Sequence, residues 1–99
     1  MTKSGVAALL ETASGPSKNL DKAICKELNV PLRDYSSSVD ACLALIHHCL
    51  PAAHWHIGRA EDGVSVYASL SHGRRRAEST STTVPLALLS ALSAFLKLS

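Results

Sequence analysis

Between His54 and Ser79 apolar and polar residues alternate with a period of two, and this segment constrains the fold more than any other. It opens with His54-Trp55-His56-Ile57-Gly58-Arg59, passes through Glu61-Asp62-Gly63, and continues with Val64-Ser65-Val66-Tyr67-Ala68-Ser69-Leu70. Alternation at this period gives strands with one buried and one wet face. Asp-Gly between two such runs gives a hairpin. The spacing predicts Trp55 and Ile57 on one face with Arg59 at the end, and Val64, Val66, Ala68 and Leu70 on one face of the next strand. The opposite faces carry His54 and His56, then Ser65, Tyr67 and Ser69. A third strand is expected in the basic segment from Gly73 to Ser79. There Arg75 and Ala77 alternate with Arg74, Arg76 and Glu78. An arginine run of this kind suits an edge strand or a loop, because edge charges block pairing between sheets.

Helical patterns lie on both sides. Val6, Leu9, Leu10 and Ala13 predict a short first helix ending near Ser14-Gly15-Pro16. Ser17 suits an N-cap, and Leu20, Ile24 and Leu28 follow as one stripe, with Lys18 and Asp21 expected on the wet side. Asn29 before Val30-Pro31 is a stop. Ser37 with Asp40 resembles a capping box. After it Val39, Cys42, Leu43, Ile46, Cys49 and Leu50 share a face, which Pro51 closes. His47 and His48 fall in the last turn, where cations favour the helix dipole. Ser79 to Thr83 is expected as a polar linker, with Thr83 capping a last helix that has Pro85 in its first turn. In that helix Leu88, Leu89, Leu92, Phe95 and Leu96 form a wide apolar face almost without charge. Such a helix must be covered over most of its girth, by the sheet and by another helix.

The expectation is therefore an α+β fold. N-terminal helices (residues 1–35) precede an α-β-β-β-α core (residues 36–99), with a three-stranded antiparallel sheet packed on helices. In this reading Trp55, Val64 and Val66 are the centre of the buried sheet face, roofed by the Val39–Leu50 and Leu86–Leu98 helices. The 99 residues suit one domain able to bury a core without staples.

Composition narrows the function classes. The net charge of +2 carries no general preference for polyanions. Three cysteines, Cys25, Cys42 and Cys49, are an odd number, which argues against a disulfide framework and for reduced thiols in a cytoplasmic setting. Met1-Thr2-Lys3-Ser4 leads into too brief an apolar run for a signal peptide. The Val84–Leu98 run is too short and too interrupted to span a membrane.

His54-x-His56 places two imidazoles on one strand face, within conceivable reach of Cys49 or His72. The spacing matches no closed structural zinc pattern, so no metal and no cofactor are expected. Cys49 faces the core in this reading and lacks the base and orienting group of a nucleophile. No Gly-x-Ser-x-Gly and no glycine-rich phosphate loop occur, and the acidic residues fall in caps and turns. No catalysis is expected. The candidate binding residues are Arg74, Arg75, Arg76, Tyr67, His54, His56 and Arg59. Together they would form a basic, partly aromatic sheet face able to contact phosphates and stack bases, or to meet an acidic protein patch.

The stretch from Ser37 to Leu98 resembles double-stranded RNA-binding domains in element order. Where that family opens its last helix with lysines, this chain has Ser81-Thr82-Thr83-Val84-Pro85, and its first hairpin tip is acidic, Glu61-Asp62. The resemblance is one of topology. A second resemblance spans most of the chain. Leu10-Glu11, Ala13, Gly15-Pro16, Leu20-Asp21 and Ala23-Ile24 form one block. Tyr35-Ser36 with Ser38-Val39-Asp40-Ala41 forms the next. His54-Trp55-His56-Ile57-Gly58 is a third, and Pro85-Leu86-Ala87-Leu88 before Ala91 a fourth. In this order and spacing the blocks resemble small proteins of alphaproteobacterial phages and prophages, similar to the phage ABA sandwich domain. That resemblance implies phage or prophage origin and a cytoplasmic setting, and brings no catalytic residues. The expected role is a non-catalytic protein-interaction module. Its expected partner is a host or phage protein, or a second copy held through the apolar last helix as a homodimer. Nucleic acid is the alternative partner and metal binding the second alternative; no membrane is expected.

Overall fold

The computed structural model describes residues 5–97; Met1 to Ser4, and Leu98 at the end of the apolar run, lie outside them. Four helices and three strands follow in the order α1 (Gly5–Thr12), α2 (Lys18–Leu28), α3 (Val39–Cys49), β1 (His54–Arg59), β2 (Val66–His72), β3 (Arg75–Ser81) and α4 (Val84–Leu96). The fold is α+β, with the antiparallel strands in the order β1-β2-β3.

Local chemistry sets most boundaries. Ser17 caps α2 by accepting from Leu20 N–H at 3.2 Å, and Asn29 ends it in the left-handed conformation, which asparagine tolerates better than most residues. Thr83 caps α4 by accepting from Leu86 N–H, and Pro85 follows in the first turn, where its missing N–H is harmless. The cap of α3 is Ser38 rather than Ser37, accepting from Ala41 N–H at 3.2 Å. Ser37 instead donates its hydroxyl to Asp34 O. The Gly73-Arg74 turn joins β2 to β3, with Gly73 at φ +63°; a two-residue hairpin with glycine first needs this backbone. The expected polar linker is shorter, because β3 runs on through Ser79, Thr80 and Ser81, which pair with β2.

Asp21 is not on the wet side. It is only 9% exposed, and its Oδ1 accepts from Ser36 N–H at 2.7 Å. The Ser36 hydroxyl in turn accepts from Ser17 N–H and donates to Ser17 O. The start of α2 is thereby locked to the loop before α3. Tyr35 is buried beside this lock and donates to Pro31 O at 2.6 Å. Burial raises its phenol pKa, against a lowering by the nearby Arg33 charge. Cys42, fully buried, donates its thiol to Tyr35 O. Burial, helped by the charges of Asp21 and Asp34, pushes that thiol up to about 12, so Cys42 is an inert packing residue.

The helices stack in depth on the sheet. Helix α4 lies across β2 and β3, while α1 and α3 pack on α4 and α2 packs on α1. Side chains around most of α4 are therefore buried: Leu86, Ala87, Leu88, Leu89, Ala91, Leu92, Ser93 and Phe95. Most of its apolar girth is thus covered within one chain, with Ser90 half-buried and Ala94 exposed on the remaining strip, which weakens the reason to expect self-association through it. One cluster joins Val6, Leu20 and Ile24 from the N-terminal helices to Cys42, Leu70, Leu88 and Phe95.

Two expectations for the sheet are corrected. Helix α3 meets α4 rather than roofing the sheet. The buried centre of the sheet is Ala68 and Leu70, not Trp55 and Val64. Trp55 and Ile57 share a face with Leu70 and Ala68 through the register, but α4 is displaced toward β3. Trp55 is consequently 45% exposed and Ile57 half-buried. Val64 lies outside β2 and is 79% exposed. Asp62 accounts for this, because its Oδ1 accepts from the N–H groups of both Val64 and Ser65, and an amide held by a local side chain is withdrawn from the ladder.

Candidate interaction surface

The pleat divides the seven candidate residues between two faces and a turn. In register, the outer face carries His54, His56 and Gly58 from β1, Tyr67, Ser69 and Ser71 from β2, and Arg76, Glu78 and Thr80 from β3. Tyr67 lies over Gly58, where an added Cβ would stand 3.3 Å from the ring. Arg76 leans back across this face, donating from Nε to the Ser69 hydroxyl at 3.3 Å and pairing with Glu78. The pair is exposed, so it adds little stability, but Glu78 offsets the formal positive charge that Arg76 brings to this face.

Arg75 goes the other way. Its guanidinium donates to Phe95 O at the end of α4 and stacks 4.4 Å from the Phe95 ring centroid. A cation at a helix C-terminus meets unpaired carbonyls and the negative end of the dipole, so Arg75 is a clamp between sheet and helix. Arg74 is exposed in the hairpin turn. Arg59 is exposed at the end of β1, in register with Val66 and so on the face opposite His56; it donates to Gly63 O at 3.0 Å. The structure thus brings together His54, His56, Tyr67 and Arg76 and separates them from Arg59 and Arg75.

Among the described residues, no three His, Cys, Asp or Glu side chains converge as a metal site requires, and no helix is long and apolar enough to cross a membrane. A shallow cleft of about 660 Å³ lies between α1, β3 and α4, lined by hydroxyls including Ser79, Thr80, Ser90 and Ser93, with Glu11. Glu11 is the one acidic side chain among the residues lining it. The Ser79–Thr83 run was the only sequence signal for this cleft; its other walls come from distant helices.

The two sheet edges differ. Ala60 N–H donates to Ser65 O at 2.9 Å, so in the antiparallel register the bonded pairs continue at Gly58–Tyr67, His56–Ser69 and His54–Ser71. The N–H and C=O groups of Trp55, Ile57 and Arg59 then point outward from β1. On β3 the pair His72–Arg75 closes the turn, so Arg76, Glu78 and Thr80 point outward. The β3 edge is guarded by an ion pair and flanked by α1 across the cleft. The β1 edge carries Trp55 and Ile57, and among the described residues no further strand pairs with it. Charged edges resist strand addition and flat apolar edges invite it. Sequence reading missed this asymmetry because it depends on where α4 sits.

At the tip beside β1, Asp62 also accepts from the Ser65 hydroxyl at 2.7 Å. Bonds from the Ser65 amide and hydroxyl, and then the Val64 amide, hold its carboxyl below the usual carboxylate range. A depressed folded pKa favours the closed tip above the unfolded value and releases it as the pH falls through the folded one. The Val64 and Ser65 amide resonances should therefore titrate below the usual carboxylate range, and Asp62→Asn should abolish the titration. A midpoint at the ordinary aspartate value would contradict the assigned bonds. No family model matches this chain, and comparison with curated proteins and with solved structures gives no match.

Proposed function

We propose that this chain is a non-catalytic protein-interaction module that takes an extended segment of a protein partner at the free edge of β1. The observation that carries the reading is the unguarded edge itself: outward backbone groups at Trp55, Ile57 and Arg59 beside a half-exposed tryptophan. Strand addition supplies affinity from main-chain hydrogen bonds and specificity from alternate side chains. His54 and His56 flank the edge on the outer face, with Tyr67 behind them on β2, and would read the partner's polar side chains. The unpaired thiols Cys25, Cys42 and Cys49 are in keeping with a reducing, cytoplasmic setting. The four sequence blocks favour a phage or prophage source, with a host or phage protein as partner. The nucleic-acid reading loses two of its cations, since Arg75 clamps α4 and Arg59 lies on the other face.

Ile57→Pro tests the proposal. The Ile57 N–H is not used within the sheet, and proline is tolerated on an edge strand where the N–H faces solvent. A protein partner captured by the native chain should slow amide exchange at Trp55, Ile57 and Arg59 and should lose affinity for the variant. A partner that binds both forms equally, without protecting these amides, would refute edge binding. Short duplex and single-stranded probes should show no steep salt-dependent affinity; a steep slope would favour phosphate contacts instead.

A further inference from the structure

We propose that the β1 edge pairs with the β1 edge of a second copy of this chain, antiparallel, about a twofold axis through Ile57. The proposal rests on the edge-binding reading above and names its occupant. The argument is one of register. The outward backbone groups belong to Trp55, Ile57 and Arg59. Centred on Ile57, the pairing sets Trp55 opposite the second copy's Arg59, Ile57 opposite Ile57, and Arg59 opposite Trp55. Every outward amide and carbonyl of the strand then finds a partner. A shift of the axis to His56 would set Arg59 opposite the second copy's Ala53, whose N–H already donates to Leu50 O at 3.0 Å. A shift to Gly58 would carry Trp55 past the strand end to the second copy's Glu61.

The side chains agree with the same register on both faces. On the helix side, residues paired across the new ladder are near neighbours, so the indole of Trp55 meets a guanidinium, a favourable cation–π pair repeated by symmetry. The Ile57 side chains meet on the axis. On the outer face His56 is set opposite the second copy's Gly58, which has no side chain and lies under the Tyr67 ring. The imidazole has room there and an aromatic wall to lie against. An axis perpendicular to the sheet places both α4 helices on one face. The uncovered strip carrying Trp55 and Ile57, left because α4 is displaced toward β3, then becomes the seam between the two copies. The result is one continuous sheet in the order β3-β2-β1-β1-β2-β3, whose outer edges are the charged β3 strands. The aggregation-prone edges are closed and the guarded ones remain outside.

Trp55 is the chain's single tryptophan, so its fluorescence reports on this seam alone. Sedimentation equilibrium should show a monomer–dimer transition, and the emission of Trp55 should move to shorter wavelength over the same concentrations. Ile57→Pro should raise the dimer dissociation constant by about 10-fold or more, since it removes symmetric hydrogen bonds at the axis, and should leave the monomer's circular dichroism unchanged. Arg59→Pro is the second variant, at the strand end and farther from the core, with the same expected direction. A dimer that persists unchanged in both variants, or that forms without any change at Trp55, overturns the proposal. A strict monomer at millimolar concentration also overturns it. The edge-binding reading then stands or falls separately, on whether a different protein protects the Trp55, Ile57 and Arg59 amides.

Discussion

Leu88→Ala is expected to lower unfolding stability by about 4 kcal/mol, near the top of the range for buried leucine truncation. Leu88 is fully buried on a helix that has the sheet on one side and α1 and α3 on the other. A cavity at the edge of a core can shrink as a neighbouring helix moves in. One inside α4 would require layers already packed against each other to shift together, so most of the void remains and its cost adds to the lost transfer energy. Small domains have only about 5–15 kcal/mol in total, so the variant would keep a small margin. Urea denaturation should show a lower midpoint at an unchanged slope, as for a loss of stability without a change in the surface exposed. Leu32→Ala is the matched control: Leu32 is 58% exposed and its truncation should stay within about 0.5 kcal/mol. A Leu88→Ala loss below about 1.5 kcal/mol would mean that α4 is not enclosed.

The same enclosure separates what could be read in the chain from what could not. The strands were legible because the alternation of Trp55 with His56 and Ala68 with Ser69 reports the pleat directly. The ends of α2 and α4 were legible because Ser17, Asn29, Thr83 and Pro85 act on their own neighbours. The girth of α4 was legible as apolar on all sides, but its neighbours were not, and the offset of α4 toward β3 decides that Trp55 is half-exposed. Val64 continues the alternation perfectly and still leaves the strand, because two hydrogen bonds to Asp62 outweigh a weak local preference. The arginine run shows the limit of reading charge as a patch. Adjacent strand residues point to opposite faces, so Arg75 and Arg76 cannot serve one surface. Arg75 belongs with Ala77, on the side of α4, where Phe95 supplies both a carbonyl and a ring. The candidate surface therefore survives only as His54, His56, Tyr67 and Arg76, and the edge beside it follows from register, which needs all three strands in place.

Asp21 carries the second large effect, for a reason that its charge conceals. Four residues after a helix cap, an aspartate reads as solvated, and a solvated position would change stability by no more than about 0.5 kcal/mol on replacement. Here the carboxylate is nearly buried and accepts from the buried Ser36 amide at 2.7 Å. Asp21→Ala leaves that N–H without a partner, on a residue only 1% exposed and so shielded from water. An unsatisfied buried donor costs about 1–3 kcal/mol, and bonds to charged acceptors stand at the upper end, so the expected loss is about 2–3 kcal/mol. Asp21→Asn keeps a carbonyl oxygen in place and should lose less than half as much. The Ser36 hydroxyl, bonded to both backbone groups of Ser17, would then hold the loop alone. Amide exchange at Ser36 should accelerate in Asp21→Ala well beyond the change in global stability, because the lock between α2 and the loop opens before the core does. Equal losses for Ala and Asn, or a Ser36 amide that exchanges only with global unfolding, would show that the carboxylate does not hold this loop.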